Sequence, residues 1–257
     1  MSALGAPVSV EWTAPYEASI LHFGIHNLPP CDALVWMSAM ARYTAAPDER
    51  LLVEILSELE KIPEVLIVLN HPFWLEEGVE EANHRRALDR LLRECIPWLH
   101  AFELNGTRRW EENAAVVELA QRHSRPVISG GDRHACEPAA CLNLTNAECF
   151  ADFASEIRSG RSSVLFMPQY KTPMPVRVLE AVWEILRNYP KYRGHELWTD
   201  RVFYRNEDGQ ARPLSSLWRD ARPWLAPPLT GLVQFFGTAG VRGALRFLLS
   251  RRAEVLP

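Results

Sequence analysis

The chain has 257 residues, enough for one large domain or two small ones with a substantial core. Apolar content of 47%, charged content of 23% and a net charge of −4 are ordinary for a soluble protein, and they supply no basic surface for nucleic acid. Five cysteines, odd in number and without a C-x-x-C pair, argue against a disulfide framework or a zinc finger; they fit a reducing, cytoplasmic setting.

The opening Met1–Pro7 has no basic region and no long apolar run, so no secretory leader is expected. Val8–Thr13 alternates in the manner of a short strand, and Ser19–Ile25 reads as a second one ended by Asn27-Leu28-Pro29-Pro30. Glu11 and His22 then fall on neighbouring strands joined by a short connection. Asp48–Lys61 is an amphipathic helix, with Leu51, Leu52, Ile55, Leu56 and Leu59 at helical spacing. Val65–Leu69 is a continuous apolar run, as in a strand buried on both faces of a parallel sheet, and Asn70-His71-Pro72 follows it directly. Helix Asn83–Cys95, strand Leu99–Leu104, helix Trp110–His123 and strand Pro126–Ser129 come next.

This alternation predicts β-α units around a parallel sheet or barrel. Polar residues stand at the C-terminal ends of successive strands: His71, then Glu103 and Asn105, then Asp132 and His134. In barrels of that type the active site lies on this face. The corner Ser129-Gly130-Gly131-Asp132-Arg133-His134 brings the chain round two glycines. It sets a carboxylate and an imidazole at i and i+2, on one side of an extended segment. With Glu11, His22 and His71 they form a donor set suited to Zn²⁺, Mn²⁺ or Fe²⁺.

Beyond the corner, Phe150–Arg158 reads as a helix, Ser162–Phe166 as a strand and Val176–Asn188 as a helix. Tyr189–Pro228 is polar, aromatic and proline-rich, with a turn at Asn206–Gly209. Leu229–Leu249 is the most membrane-like stretch. Arg242 and Arg246 interrupt it and four glycines dilute it, so a spanning helix is excluded and a terminal helix packed on the domain is expected instead of an interfacial one.

Taken in order, Val10-Glu11, His22-Phe23-Gly24-Ile25, Asn70-His71-Pro72, Phe102-Glu103-Leu104-Asn105 and Ser129–His134 resemble the PHP (polymerase and histidinol phosphatase) family. Ile157-Arg158-Ser159-Gly160-Arg161 resembles the helix and Gly-Arg turn that follow the Asp-x-His motif there. The resemblance spans roughly residues 8–166. It implies an α/β fold, a distorted TIM-like (β/α) barrel, over residues 1–166, with a mostly helical and loop extension over 167–257. It also implies divalent metal ions as cofactors and a metal-dependent phosphoesterase acting on a small phosphorylated substrate. By the same resemblance, Glu11 matches a bridging carboxylate, His22 and His71 match histidine ligands, and Asp132 and His134 match the last ligand pair. Glu103 and Asn105 match a variable position near the site.

The family opens with His-x-His, which this chain lacks, so the barrel is expected to be N-terminally incomplete. A non-catalytic remnant serving as a binding or scaffold module is the alternative to a working hydrolase. Arg133, between the two corner ligands, is the best arginine for a substrate phosphate, ahead of Arg108, Arg109 and Arg161. Asp132, His134 and Arg133 are therefore the residues expected to act on the substrate. His84, His100, His123 and His195 read as structural, and His26 as a loop residue.

Overall fold

The computed structural model describes residues 7–130, 140–173, 175–180, 200, 203–217 and 226–249. Val8–Tyr16 (β1) and Ser19–Leu28 (β2) form an antiparallel hairpin whose turn holds Glu17 at φ 52°. The register sets Glu11 opposite Gly24 and Thr13 opposite His22. Helices Ala33–Ala45 (α1) and Glu49–Glu60 (α2) follow; Asp48 caps the latter by accepting from the Arg50 N–H at 2.9 Å. Sequence reasoning leaves α1 unassigned. Leu34 and Val35 are exposed within it, so its apolar residues are not confined to one face.

Leu66–Asn70 (β3) pairs antiparallel with β2 and parallel with Ala101–Leu104 (β4), which pairs parallel with Val127–Ser129 (β5). Glu81–Cys95 (α3) connects β3 to β4, and Trp110–Arg122 (α4) connects β4 to β5. The strand-helix alternation read from the sequence therefore yields two β-α-β units.

The barrel expected from the sequence is corrected here. The described residues form an open, five-stranded mixed sheet in the order β1-β2-β3-β4-β5, with no closed barrel among them. The chain enters through a hairpin, so the sheet begins antiparallel. Among the described residues its ladder ends at β5, beside Asn143. The Asn143 side chain accepts from the Ser129 N–H at 2.7 Å and donates to the Ser129 carbonyl at 2.9 Å, satisfying the backbone that a further strand would use. Asn143 lies in Cys141–Asn143 (β6), which pairs with Val164–Phe166 (β7) in a separate two-stranded sheet.

Strand alternation divides the large sheet into two faces. Trp12, Phe23, Ile25, Ile67, Leu69 and Phe102 face the main core, with buried residues of α1 to α4. On the other side, Phe150–Arg158 (α5) covers Leu66, Val68, Ala101 and Ile128 with Ala154 and Ile157. The registers place Glu11, His22, Asn70 and Glu103 on this second side as well.

Two compact units divide the chain, Met1–Gly131 with Cys141–Met167, and Asp132–Ala140 with Pro168–Pro257. In the second, a hairpin joins Phe203–Arg205 (β8) to Ala211–Pro213 (β9). Its turn is closed by Gly209 N–H donating to the Asn206 carbonyl at 2.9 Å, with Gly209 at φ 75°. Ala226–Phe236 (α6) and Ala239–Leu248 (α7) complete the unit. The single terminal helix expected over Leu229–Leu249 is thus two, separated at Gly237-Thr238.

Candidate metal centre

The registers that fix the fold also gather the polar side chains. Glu11 comes from β1, His22 from β2, and His71 stands immediately after β3. Each offers one donor atom, and the three atoms lie within 4.8 Å of one another. Glu11 Oε1 is 4.0 Å from His22 Nδ1 and 3.8 Å from His71 Nε2. The two rings have centroids 4.8 Å apart and are tilted by 48°. Those separations are too long for hydrogen bonds. Donors sharing one ion at about 2.1 Å stand roughly 3.0–3.4 Å apart in octahedral (cis) to tetrahedral arrangements, so these side chains would close in by about half an ångström to share one.

The outer nitrogens explain why the inner ones are available. His71 Nδ1 donates to Glu103 Oε2 at 2.8 Å, and the same oxygen accepts from the His71 backbone N–H at 2.7 Å. A carboxylate only accepts, so the proton sits on Nδ1 and the Nε2 lone pair faces Glu11. His22 repeats the device. Its Nε2 donates to Glu76 Oε1 at 3.1 Å, leaving Nδ1 turned toward Glu11. Trp74 Nε1 donates to that Glu76 oxygen at 3.3 Å, and Asn70 Nδ2 donates to Glu11 Oε1 at 2.9 Å. Burial first, then the neighbouring His71, holds the His22 pKa below the usual histidine value, which favours the neutral ring.

His71 is positioned by its backbone as much as by its ring. It has φ 25°, a conformation that non-glycine residues avoid, and its carbonyl accepts from the Trp74 N–H at 2.8 Å to close a turn through Pro72. His84 Nε2 donates to the Pro72 carbonyl at 2.8 Å, while His84 Nδ1 accepts from Ser19 Oγ at 2.8 Å. His84 is thus a satisfied core histidine, as its sequence position implies, and it pins the turn that carries His71.

Glu103 is fully buried, and its burial depends on a glycine. A Cβ added at Gly130 would lie 1.9 Å from Glu103 Oε1 and 2.3 Å from both Cγ and Cδ. Gly130 therefore serves close approach. Asn105 Oδ1 accepts from the Thr107 N–H and hydroxyl at 2.7 and 2.6 Å. Asn113 brackets the Asn105 backbone at 2.9 Å in both directions, as Asn143 does for Ser129.

Of the residues singled out by sequence, the fold unites Glu11, His22 and His71, with Glu103 directly behind His71. Asp132, Arg133 and His134 lie outside the described residues, as does His195. Arg108 stacks over the Trp74 ring at 3.6 Å, while Arg109 is exposed. His26, expected in a loop, lies in β2 on the same side as His22, and Gly24 leaves the space its ring occupies. Glu76 and Asn70 were not foreseen as site residues. Asn70 is adjacent to His71 in sequence, but nothing in the composition of the loop after Pro72 distinguishes Glu76 from Glu77.

The fold and site together define an α/β protein with an open mixed sheet and a candidate cation site at its strand ends. Comparison of the chain with protein-family models, with curated proteins and with solved structures gave no match.

Proposed function

We propose that this chain is a metal-dependent hydrolase acting on phosphate esters, with Glu11, His22 and His71 at the heart of its metal site. One observation carries the reading: both histidines commit their outer N–H to a carboxylate and turn their inner nitrogen toward Glu11. Carboxylate-backed histidine is the usual arrangement of a metal-ligating imidazole, because it fixes tautomer and ring orientation. One carboxylate and two neutral imidazoles suit Zn²⁺, Mn²⁺ or Fe²⁺.

Catalytic sites commonly pair three protein ligands with an open position, and three donors are gathered among the described residues. The Glu11 side chain is 40% exposed, so the site is reachable from solvent. A bound divalent ion would act there as a Lewis acid and lower the pKa of a water. Glu103 and Glu76 hold the two rings still, and Asn70 orients Glu11. By the family resemblance, Asp132 and His134 extend the ligand set and Arg133 meets the phosphoryl oxygens; the same resemblance supports phosphate esters as the substrate class.

The test is hydrolysis of an aryl phosphate by the full chain with Mn²⁺ or Zn²⁺, beside the His71→Ala variant. Metal-dependent turnover that His71→Ala lowers by at least about 100-fold supports the reading. Metal binding without turnover on any phosphate ester would leave a metal-binding module in its place.

A further inference from the structure

Helices α6 and α7 expose four large apolar side chains. Leu232 and Phe235 of α6 are 52% and 58% exposed, and Phe247 and Leu248 of α7 are 79% and 72% exposed. Leu232 and Phe235 are three residues apart and share one side of α6. Ala244, exposed as well, shares a side of α7 with Phe247 and Leu248 at spacings of three and four. No charged side chain occurs among the exposed described residues of either helix. A surface helix ordinarily buries its apolar stripe, so four large apolar side chains exposed on two successive helices are unusual. The two helices pack against each other, with Val241 and Leu245 half-buried and Gly237 buried at the bend.

Charge says what would cover this face. Residues 221–253 contain five arginines, Arg222, Arg242, Arg246, Arg251 and Arg252, and neither Asp nor Glu, within a chain of net charge −4. The stretch of sequence that holds these exposed apolar side chains is thus net positive within an acidic protein. Two copies meeting through this stretch would bring like charges together. Anionic phospholipid headgroups complement them, and arginine pairs well with phosphate oxygens. At 11 and 10 residues, both helices are too short to cross a bilayer. We propose that the α6–α7 pair is a peripheral membrane anchor, lying in the headgroup region of an anionic phospholipid surface with Phe235, Phe247 and their apolar neighbours turned into the acyl boundary.

The experiment is flotation of the full chain with vesicles of phosphatidylcholine alone and of phosphatidylcholine with phosphatidylserine. The wild-type chain is expected to float with the serine-containing vesicles only, and to be released as salt is raised. A Phe235→Glu/Phe247→Glu variant is expected to bind at least about tenfold more weakly with an unchanged circular dichroism spectrum. Arg251→Glu/Arg252→Glu, which alters no apolar side chain, is expected to lose several-fold in affinity. Failure of the wild type to float with serine-containing vesicles overturns the proposal. So does undiminished flotation of both variants, or concentration-dependent dimerisation abolished by Phe235→Glu/Phe247→Glu without vesicle binding, which would make the face a contact between copies.

Discussion

One oxygen of Glu103 serves both ends of His71. Oε2 accepts from the backbone N–H at 2.7 Å and from ring Nδ1 at 2.8 Å. The carboxylate thereby fixes the residue's tautomer, its ring orientation and the unusual backbone turn at φ 25°. Replacing Glu103 with Ala removes all three constraints at once. Zinc affinity is expected to fall 10–100-fold, in the range seen when a carboxylate behind a ligating histidine is lost. Competition with a chromogenic chelator measures this, with unfolding of the metal-free protein recorded alongside. An affinity within twofold of wild type would contradict the role given to Glu103.

Gly130 makes the burial of Glu103 possible. An added Cβ would overlap the carboxylate oxygen and also the nearer Cγ and Cδ, so moving the tip of the side chain does not relieve the clash. Gly130→Ala is expected to destabilise the fold by about 1–3 kcal/mol or more, as overpacking does, and to weaken metal binding with it. Gly231 in α6 is the control, because a Cβ there meets nothing within 4 Å. Gly231→Ala is expected to be neutral or to stabilise by about 0.5–1 kcal/mol. Urea unfolding of both variants decides the matter, and equal effects would refute the clash.

Folding depends on pH through His100, away from the metal site. His100 is buried, its Nδ1 accepts from the Ile67 N–H at 2.9 Å, and the Arg158 guanidinium lies 2.7 Å from its Nε2. Burial, then Arg158 and Arg125, push its pKa down to about 3. The unfolded chain takes up a proton at the ordinary histidine pKa near 6.5, and the folded chain does not. Stability from this group is therefore complete above about pH 6.5 and falls by about 1.4 kcal/mol per pH unit between 6.5 and 3. Comparing wild type with His100→Gln by urea unfolding at pH 7 and pH 5 should show the wild type losing more. Parallel losses would remove His100 as the cause.

Asn143 stands where a sixth strand would pair. Through both atoms of its amide it satisfies the Ser129 N–H and carbonyl. Asn143→Ala leaves both groups half-buried without that partner and is expected to cost roughly 1–3 kcal/mol. Asn143→Asp keeps the acceptor but sets a carboxylate oxygen against the Ser129 carbonyl, and is expected to cost at least as much. A wild-type midpoint for Asn143→Ala would show that the ladder ends at β5 for some other reason.

Much of the first unit was legible in the sequence because its elements obey their periods. Leu52, Ile55, Leu56 and Leu59 mark α2, Leu66–Leu69 mark a strand buried on both faces, and the strand-end polar residues mark the site face. Closure was not legible. Whether a sheet closes depends on what meets its last strand, and here a single amide, Asn143, lies 14 residues from its partner Ser129. Helix α1 escaped notice because Leu34 and Val35 break its apolar stripe. At the site, the ligand types announced themselves at strand ends. Their supports did not: Glu76 reaches His22 across 54 residues, a relationship that only the folded loop creates.

The central claim is that Glu11, His22 and His71 hold a divalent cation. Titration calorimetry of the metal-free chain with Zn²⁺ and with Mn²⁺, beside His71→Ala, tests it most directly. At least one ion should bind per wild-type chain, with affinity falling at least about 100-fold in the variant, as expected when a ligand is lost. Equal binding by wild type and His71→Ala, or none by either, would contradict the site.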